Sequence, residues 1–301
     1  MKYFRSKVFG VVLQVLLIVS SVLVAVSCTP QAEPPAKLGV VVTILPQAEF
    51  VEKVGGERVS VSVMVPPGAS PHTYEPTPGQ MAELAQAKMY AQVGSGVEFE
   101  LAWMDRLAEA NKAMLVVDCA QGIQLQETVT GSEEESDEHG ALDPHIWMSP
   151  RNAQIMVQNI ARGLIQIDPD NQAYYEQNRD AYLQELGQLN QDIASGLSGV
   201  ENRVFMVYHP AFGYFAREYD LTMLPIEDEG KEPTPAGLAH LIDQAQESNI
   251  KVVFASPQFN PNSARVIADA IDGRVVLVDP LARDYLTNLR ILQSEMMQAM
   301  E

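Results

Sequence analysis

The chain has 301 residues, of which 47% are hydrophobic, and it carries 39 acidic against 20 basic side chains. A formal net charge of −19 excludes nucleic acid or an anionic lipid surface as the main partner, since both need basic patches, and makes cations the more natural ligands. Two cysteines allow at most one disulfide, so a cysteine-stapled scaffold is excluded and any metal site must rest on histidine and carboxylate.

The N-terminal segment has the pattern of an export signal. A basic start precedes the almost wholly apolar run 8–26, and Cys28 follows soon after. We predict a signal peptide over residues 1–27 and, over residues 28–37, a tether rich in Pro, Gln, Ala and Glu. A retained transmembrane anchor is the alternative, because the run is close to the spanning length of about 20 residues. Removal of the signal would leave 17 basic and 39 acidic residues, a net charge of −22.

Beyond the tether, short β-rich apolar runs alternate with amphipathic stretches, which is the pattern of β–α units around a parallel sheet. Two sets of four strands predict an α/β fold with two lobes, over residues 38–167 and 199–301. The strands are predicted near 38–44, 59–65, 88–93 and 114–118, and near 203–208, 221–226, 251–255 and 274–279. The helices of the two lobes are predicted near 46–54, 79–86, 97–111, 211–219, 234–248, 260–271 and 283–299.

A helical stretch without β signals separates the two sets of strands. Ser149 and Pro150 open one helix that runs to about Gln166. The sequence Asp-Pro-Asp at 168–170 then breaks it, and a second helix follows to about Leu197. A helix of about 28 residues would extend roughly 42 Å, at 1.5 Å per residue. We therefore predict that the linker, residues 168–198, is one long rigid helix rather than a flexible hinge.

Four side chains with metal-binding chemistry lie at predicted strand or helix ends. His72 follows a strand and a Pro-Pro-Gly turn, His145 precedes a helix, and His209 and Asp279 each end a strand. Open parallel sheets bind ligands beyond the carboxyl ends of their strands, so each lobe supplies two candidates. Three neutral imidazoles and one carboxylate satisfy a tetrahedral Zn²⁺ ion. His240, by contrast, is expected on a helix surface, outside the site.

The sequence also suggests roles for the acidic segment 131–140 and for Cys119. Segment 131–140 holds many carboxylates and His139, and we expect a solvated acidic loop there, with weak metal collection as the alternative. Cys119 ends an apolar run and is expected to be a buried core thiol.

Four short motifs surround the candidate ligands. They read His-Thr-Tyr-Glu-Pro from His72, Asp-Pro-His-Ile-Trp-Met-Ser-Pro from Asp143, Tyr-His-Pro-Ala-Phe-Gly-Tyr-Phe from Tyr208 and Val-Asp-Pro-Leu from Val278. In this order they resemble the zinc and manganese solute-binding proteins of bacterial ABC importers, over essentially the whole chain from about Leu38. The sequence Ala-Val-Ser-Cys that ends at residue 28 likewise resembles the lipobox of bacterial lipoproteins.

The resemblance implies two Rossmann-like lobes, each a four-stranded mainly parallel sheet flanked by helices, with one metal ion in the interlobe cleft. The ligands it implies are His72, His145, His209 and Asp279. It also implies an extracytoplasmic monomer, anchored by a lipid on Cys28 at the periplasmic side or outer surface of the cell membrane. This protein would deliver its metal to a membrane permease that is powered by a cytoplasmic ATPase.

The third ligand discriminates between metals within this resemblance. Zinc-type members have histidine at the position of His209, whereas manganese-type members usually have glutamate, and imidazole suits Zn²⁺ better than Mn²⁺. We therefore expect Zn²⁺ as the transported ligand, with a manganese- or iron-binding homologue as the alternative. Because imidazoles must be neutral to ligate, Zn²⁺ affinity is expected to fall below about pH 6.5.

Two other classes of function remain as alternatives. An exported zinc hydrolase would keep one metal position open for water beside a general base, yet the sequence has no His-Glu-x-x-His helix and no Gly-x-Ser-x-Gly motif. A surface adhesin is compatible with a lipoprotein, and members of the resembling family have been described in that way. A non-enzymatic binding protein is the expectation that the residues favour.

Overall fold

The structure is a computed structural model that describes residues 37–128, 142–227 and 231–300. Within these residues, two parallel sheets of four strands each form the framework. The first contains β1 (Leu38–Val42), β2 (Val59–Val63), β3 (Met89–Gln92) and β4 (Leu115–Asp118); the second contains β5 (Val204–Val207), β6 (Thr222–Pro225), β7 (Val252–Ala255) and β8 (Arg274–Leu277). Their spatial orders are β2-β1-β3-β4 and β6-β5-β7-β8, so the two sheets repeat one topology.

Helices connect and flank the strands of both sheets. Those of the first half are α1 (Leu45–Gly55), α2 (Pro78–Leu84), α3 (Glu98–Ala110) and α4 (Pro150–Ile167). The long helix α5 (Gln172–Leu197) follows, and the second half adds α6 (Gly213–Glu218), α7 (Pro235–Glu247), α8 (Asn262–Ala270) and α9 (Tyr285–Ala299). This arrangement confirms the predicted α/β class, with two parallel sheets and a long helix between them.

Three helices begin with the same local sequence, a capping hydroxyl residue followed by proline. In α2, α4 and α7 a proline occupies the first turn, where its missing N–H costs no hydrogen bond. The hydroxyl group just before each proline accepts a hydrogen bond from the backbone of the first turn. The capping side chains are Thr77, Ser149 and Thr234.

Helix α5 has 26 residues and is therefore about 39 Å long. Its buried face carries an apolar stripe, and it packs against α1, α4 and α9. The stripe consists of Tyr175, Tyr182, Leu186, Leu189, Ile193 and Leu197.

One hydrophobic core extends through both halves of the described chain. It includes Val41 of the first sheet, Leu189 of α5, Phe205 of the second sheet and Leu289 of α9. A second, smaller cluster lies in the second half, around Val253. Cys119 is fully buried, as the sequence predicts. Across the described residues, no helix combines the length and the apolar character needed to cross a bilayer.

Candidate metal centre

The carboxyl edges of the two sheets bring imidazoles from both halves of the chain together. His145 precedes the short helical turn Ile146–Met148, and His209 lies two residues beyond the end of β5. Their Nε2 atoms are 3.2 Å apart, and both residues are buried, with 8% and 6% exposure. At Zn–N bonds of about 2.05 Å, two ligands of a tetrahedral ion are separated by about 3.3 Å. The pair therefore has the spacing of two ligands of one ion.

His72 is the third imidazole at this place and the most exposed of the three. It lies in the turn that follows β2, and its ring centroid is 5.1 Å from that of His209 in an edge-to-face arrangement. The side chain of Phe259 stacks on His209 at 4.6 Å and lies 6.2 Å from His72. The three imidazoles line one small cavity, whose free volume for a water-sized particle is about 20 Å³. That is room for a single water molecule or a single ion.

The Nδ1 atom of each of the three imidazoles is hydrogen-bonded to a carboxylate. Asp143 accepts from His145 at 2.8 Å and Glu227 accepts from His209 at 2.6 Å; Glu98 accepts from His72 at 2.8 Å. Such a hydrogen bond places the proton on Nδ1 and leaves the Nε2 lone pair available.

The two sides of the cavity differ in their electrostatics. The hydrogen bond that His72 donates to Glu98 raises the pKa of His72 more than partial burial lowers it. Burial lowers the pKa of His209, and the neighbouring imidazole of His145 adds to this, while Glu227 opposes it. The buried imidazole is therefore held neutral, which is the form that ligates a metal ion.

Asp279, the fourth predicted ligand, lies beside the cavity at the end of the second sheet. Its Oδ1 atom accepts hydrogen bonds from Gln258 Nε2 at 2.6 Å and from the backbone N–H of Leu281 at 2.9 Å. Gln258, Pro280 and Leu281 line the cavity, so the neighbours of Asp279 form part of its wall. The buried Oε1 atom of Gln258 has no hydrogen-bond partner among the described residues.

The described part of the chain does not contain three or more His, Cys, Asp or Glu side chains already converged on one metal position. The structure brings the three predicted histidines to one cavity and places Asp279 next to it. His240 is on the exposed face of α7, as expected. Cys28, His139 and the acidic loop 131–140 lie outside the described residues.

Sequence reasoning missed the carboxylates that hold the imidazoles. Glu227 follows β6, and the register pairs Val207 with Pro225, so His209 and Glu227 come two residues further along adjacent strands. That matched position is a signal that the sequence contained. Glu98, at the first residue of α3, carried no comparable signal.

The whole described fold has relatives among known proteins. A family profile described as "Zinc-uptake complex component A periplasmic" matches residues 40–299. The chain belongs to this zinc-uptake component A family. It is 33% identical over 260 residues to the high-affinity zinc uptake system protein ZnuA of Bacillus subtilis, an alignment that covers 81% of this chain and 79% of the relative. A crystal structure of ZnuA superposes with a TM-score of 0.83 at 42% identity, covering 88% of this chain and all of that one.

The zinc-uptake component A family consists of substrate-binding proteins of ABC importers, and that is the function of this chain. It is an extracytoplasmic binding protein that works with a permease and its ATPase, and it is not an enzyme. The similarity also reaches the manganese-binding lipoprotein MntA of Halalkalibacterium halodurans, at 29% identity over 82% of this chain and 81% of that protein. Family membership thus establishes metal binding, with zinc and manganese both represented among the relatives.

Proposed function

We propose that the chain binds one Zn²⁺ ion between its two lobes, through the Nε2 atoms of His72, His145 and His209 and the carboxylate of Asp279. The observation that carries this proposal is the pair of buried Nε2 atoms 3.2 Å apart, each on an imidazole whose Nδ1 is bonded to a carboxylate. This pattern prepares neutral imidazoles for a metal ion and fixes the direction of their lone pairs.

The donor set favours Zn²⁺ over Mn²⁺. Three imidazole nitrogens suit zinc, whereas manganese is better matched by carboxylates, carbonyls and water. The cavity has room for one ion without a shell of water molecules, and such a small site suits four-coordinate zinc. The overall negative charge of the protein draws any divalent cation, so selection has to come from the ligands.

Titration of the purified, chelator-stripped protein with Zn²⁺ and with Mn²⁺ tests this assignment. We expect tight, stoichiometric binding of one Zn²⁺ per chain and much weaker binding of Mn²⁺. His209→Ala should weaken Zn²⁺ binding at least a hundredfold, because it removes a buried ligand. His240→Ala is the matched control, since it removes an exposed imidazole and should change nothing. Equal loss in both variants, or preference for Mn²⁺, would contradict the assignment.

We further propose that the mature protein is a monomer, anchored to the cell membrane by acyl chains on Cys28. The apolar run 8–26 and the lipobox-like sequence that ends at Cys28 support the lipid anchor. Cys28→Ser should move the protein from the membrane fraction to the soluble fraction of fractionated cells. Cys119→Ser, at the buried thiol, is the control and should leave the membrane attachment unchanged.

A further inference from the structure

Trp147 joins the two segments that carry predicted ligands in opposite lobes. Its indole Nε1 donates a hydrogen bond of 2.8 Å to the carbonyl oxygen of Pro280. Trp147 lies two residues after His145, and Pro280 directly follows Asp279. One side-chain hydrogen bond thus links the imidazole segment of the first lobe to the carboxylate segment of the second.

The two ends of this link are held in place by their own contacts. The indole is 1% exposed, and its centroid is 5.3 Å from the imidazole of His145. The carbonyl oxygen of Trp147 accepts a hydrogen bond of 2.7 Å from the hydroxyl of Tyr285. On the other side, Asn288 Nδ2 donates to the carbonyl oxygen of Asp279 at 2.8 Å. A hydrogen bond between such buried, anchored groups is not exchanged with water, so it acts as a stiff spacer.

We propose that Trp147 is a positioning residue that sets the distance between the Asp279 carboxylate and the imidazoles across the cleft. The proposal rests on the zinc site proposed above. A metal site tolerates deviations of only about 0.2 Å in its ligand distances. Because Asp279 stands on a loop while His145 stands on the opposite lobe, a contact across the cleft is needed to hold that tolerance. The Trp147–Pro280 hydrogen bond is such a contact, one residue from the carboxylate.

Trp147→Phe tests the link, because phenylalanine keeps an aromatic ring in the core and removes the N–H group. We expect Zn²⁺ affinity, measured by competition with a chromophoric chelator, to fall about tenfold. The chain contains two tryptophans, so Trp103→Phe provides the same substitution as a control. Trp103 stands on α3 against the guanidinium group of Arg106 and is not among the residues that line the cavity. Its replacement should leave Zn²⁺ affinity within twofold of the parent protein.

A double-mutant cycle with Asp279→Ala separates positioning from a general structural role. If Trp147 acts through Asp279, the loss caused by Trp147→Phe disappears in the Asp279→Ala background, because no carboxylate remains to be positioned. The same loss in both backgrounds would mean that the indole only supports the fold, and would overturn the proposal. Unchanged Zn²⁺ affinity in Trp147→Phe alone, or in Asp279→Ala alone, would overturn it as well.

The outcome is distinguishable from failure of the zinc site itself. Zn²⁺ binding by the unmodified protein and by His209→Ala decides whether the zinc site exists, and neither protein is altered at Trp147.

If Trp147→Phe lacks a cooperative unfolding transition, benzothienylalanine at position 147 replaces the ring N–H by sulfur and keeps the shape of the indole. The analogue is incorporated in a Trp103→Phe background, so that position 147 alone carries it. The resulting protein should show the same tenfold loss of Zn²⁺ affinity and the same dependence on Asp279. Parent-like affinity in that protein would overturn the proposal.

Discussion

Both ring nitrogens of His209 have a defined environment, and Glu227 determines which of them is free. The Glu227 carboxylate accepts from Nδ1 at 2.6 Å, so Nε2 faces His145. Glu227→Ala should therefore weaken Zn²⁺ binding by about 10- to 100-fold, the usual cost of losing such a partner of a metal-binding histidine. Glu227→Gln should recover much of this loss, because its amide oxygen can still accept the Nδ1–H. Isothermal titration with Zn²⁺ measures both variants.

Glu232→Ala serves as the control for this comparison. Its carboxylate contacts the hydroxyl of Tyr208, next to His209 in the chain, but no imidazole. Its removal should leave Zn²⁺ affinity nearly unchanged. If Glu227→Ala and Glu232→Ala weakened binding equally, loss of nearby negative charge would explain the effect and the orienting role would be wrong.

At the level of residues, the histidines of the site could be predicted and their carboxylate partners largely could not. His72, His145 and His209 lie where strands or turns end, and the geometry of parallel sheets brings such ends together. The partnership of Glu98 with His72 depends on how the turn after β2 meets the first residue of α3, a packing detail that no local pattern encodes. The ligand roles of the three histidines and of Asp279 stay predictions.

The start of helix α6 approaches the candidate site so closely that it needs a glycine. A Cβ atom at Gly213 would overlap the carboxylate of Asp143, which holds the imidazole of His145. Gly213→Ala should displace this carboxylate and lower Zn²⁺ affinity by several-fold, although residue 213 ligates nothing. Gly79→Ala in α2 is the control, because a Cβ there meets nothing closer than 3.9 Å. Equal affinities of the two alanine variants for Zn²⁺ would contradict the coupling.

The buried carboxylate of Glu49 connects three helices. Glu49 stands on α1, and its carboxylate accepts a hydrogen bond from the hydroxyl of Tyr182 on α5. It also accepts one from the backbone N–H of Tyr285 at the start of α9. Burial raises the pKa of Glu49 above its ordinary value of 4.5, and Asp284 adds to the rise, while the two hydrogen bonds and Lys53 oppose it. The folded state thus binds this proton more tightly than the unfolded state. The stabilisation is complete below about pH 4.5 and is lost as the pH rises through the folded-state pKa.

Glu49→Gln should remove this pH dependence, because glutamine stays neutral while it can still accept from the Tyr285 amide. The free energy of unfolding in urea should therefore shift in favour of the variant as the pH is raised from about 4 to about 8. Glu52→Gln, on the same helix and exposed in a pair with Arg283, is the control and should show no such trend. Parallel pH profiles for the parent and Glu49→Gln would contradict a buried ionisation at this junction.

At the level of the whole molecule, the two sheets could be predicted from the sequence, but the single hydrophobic core that joins the two halves could not. Short apolar runs and proline-led helix starts predict both sheets and α5, because these signals are local. That Phe205 and Leu289 of the second half share a core with Val41 of the first could not be read from them, since it depends on which helix faces meet in space. This continuous core has a mechanical consequence, because separating the halves would expose buried apolar side chains.

Zn²⁺ binding should therefore change the overall dimensions of the protein only slightly. The long helix α5 spans the region between the sheets, and Glu49, Trp147 and Tyr285 connect the two halves through buried hydrogen bonds. A wide hinge closure would break these contacts, whereas helix and loop shifts of about 1–2 Å would keep them. We expect the radius of gyration from small-angle X-ray scattering to differ by less than about 1 Å between the chelator-stripped and Zn²⁺-saturated protein. Trp147→Phe, which removes one connection, should increase the difference if the link restrains the halves. A compaction of several ångströms in the parent protein would show that the halves move as independent bodies.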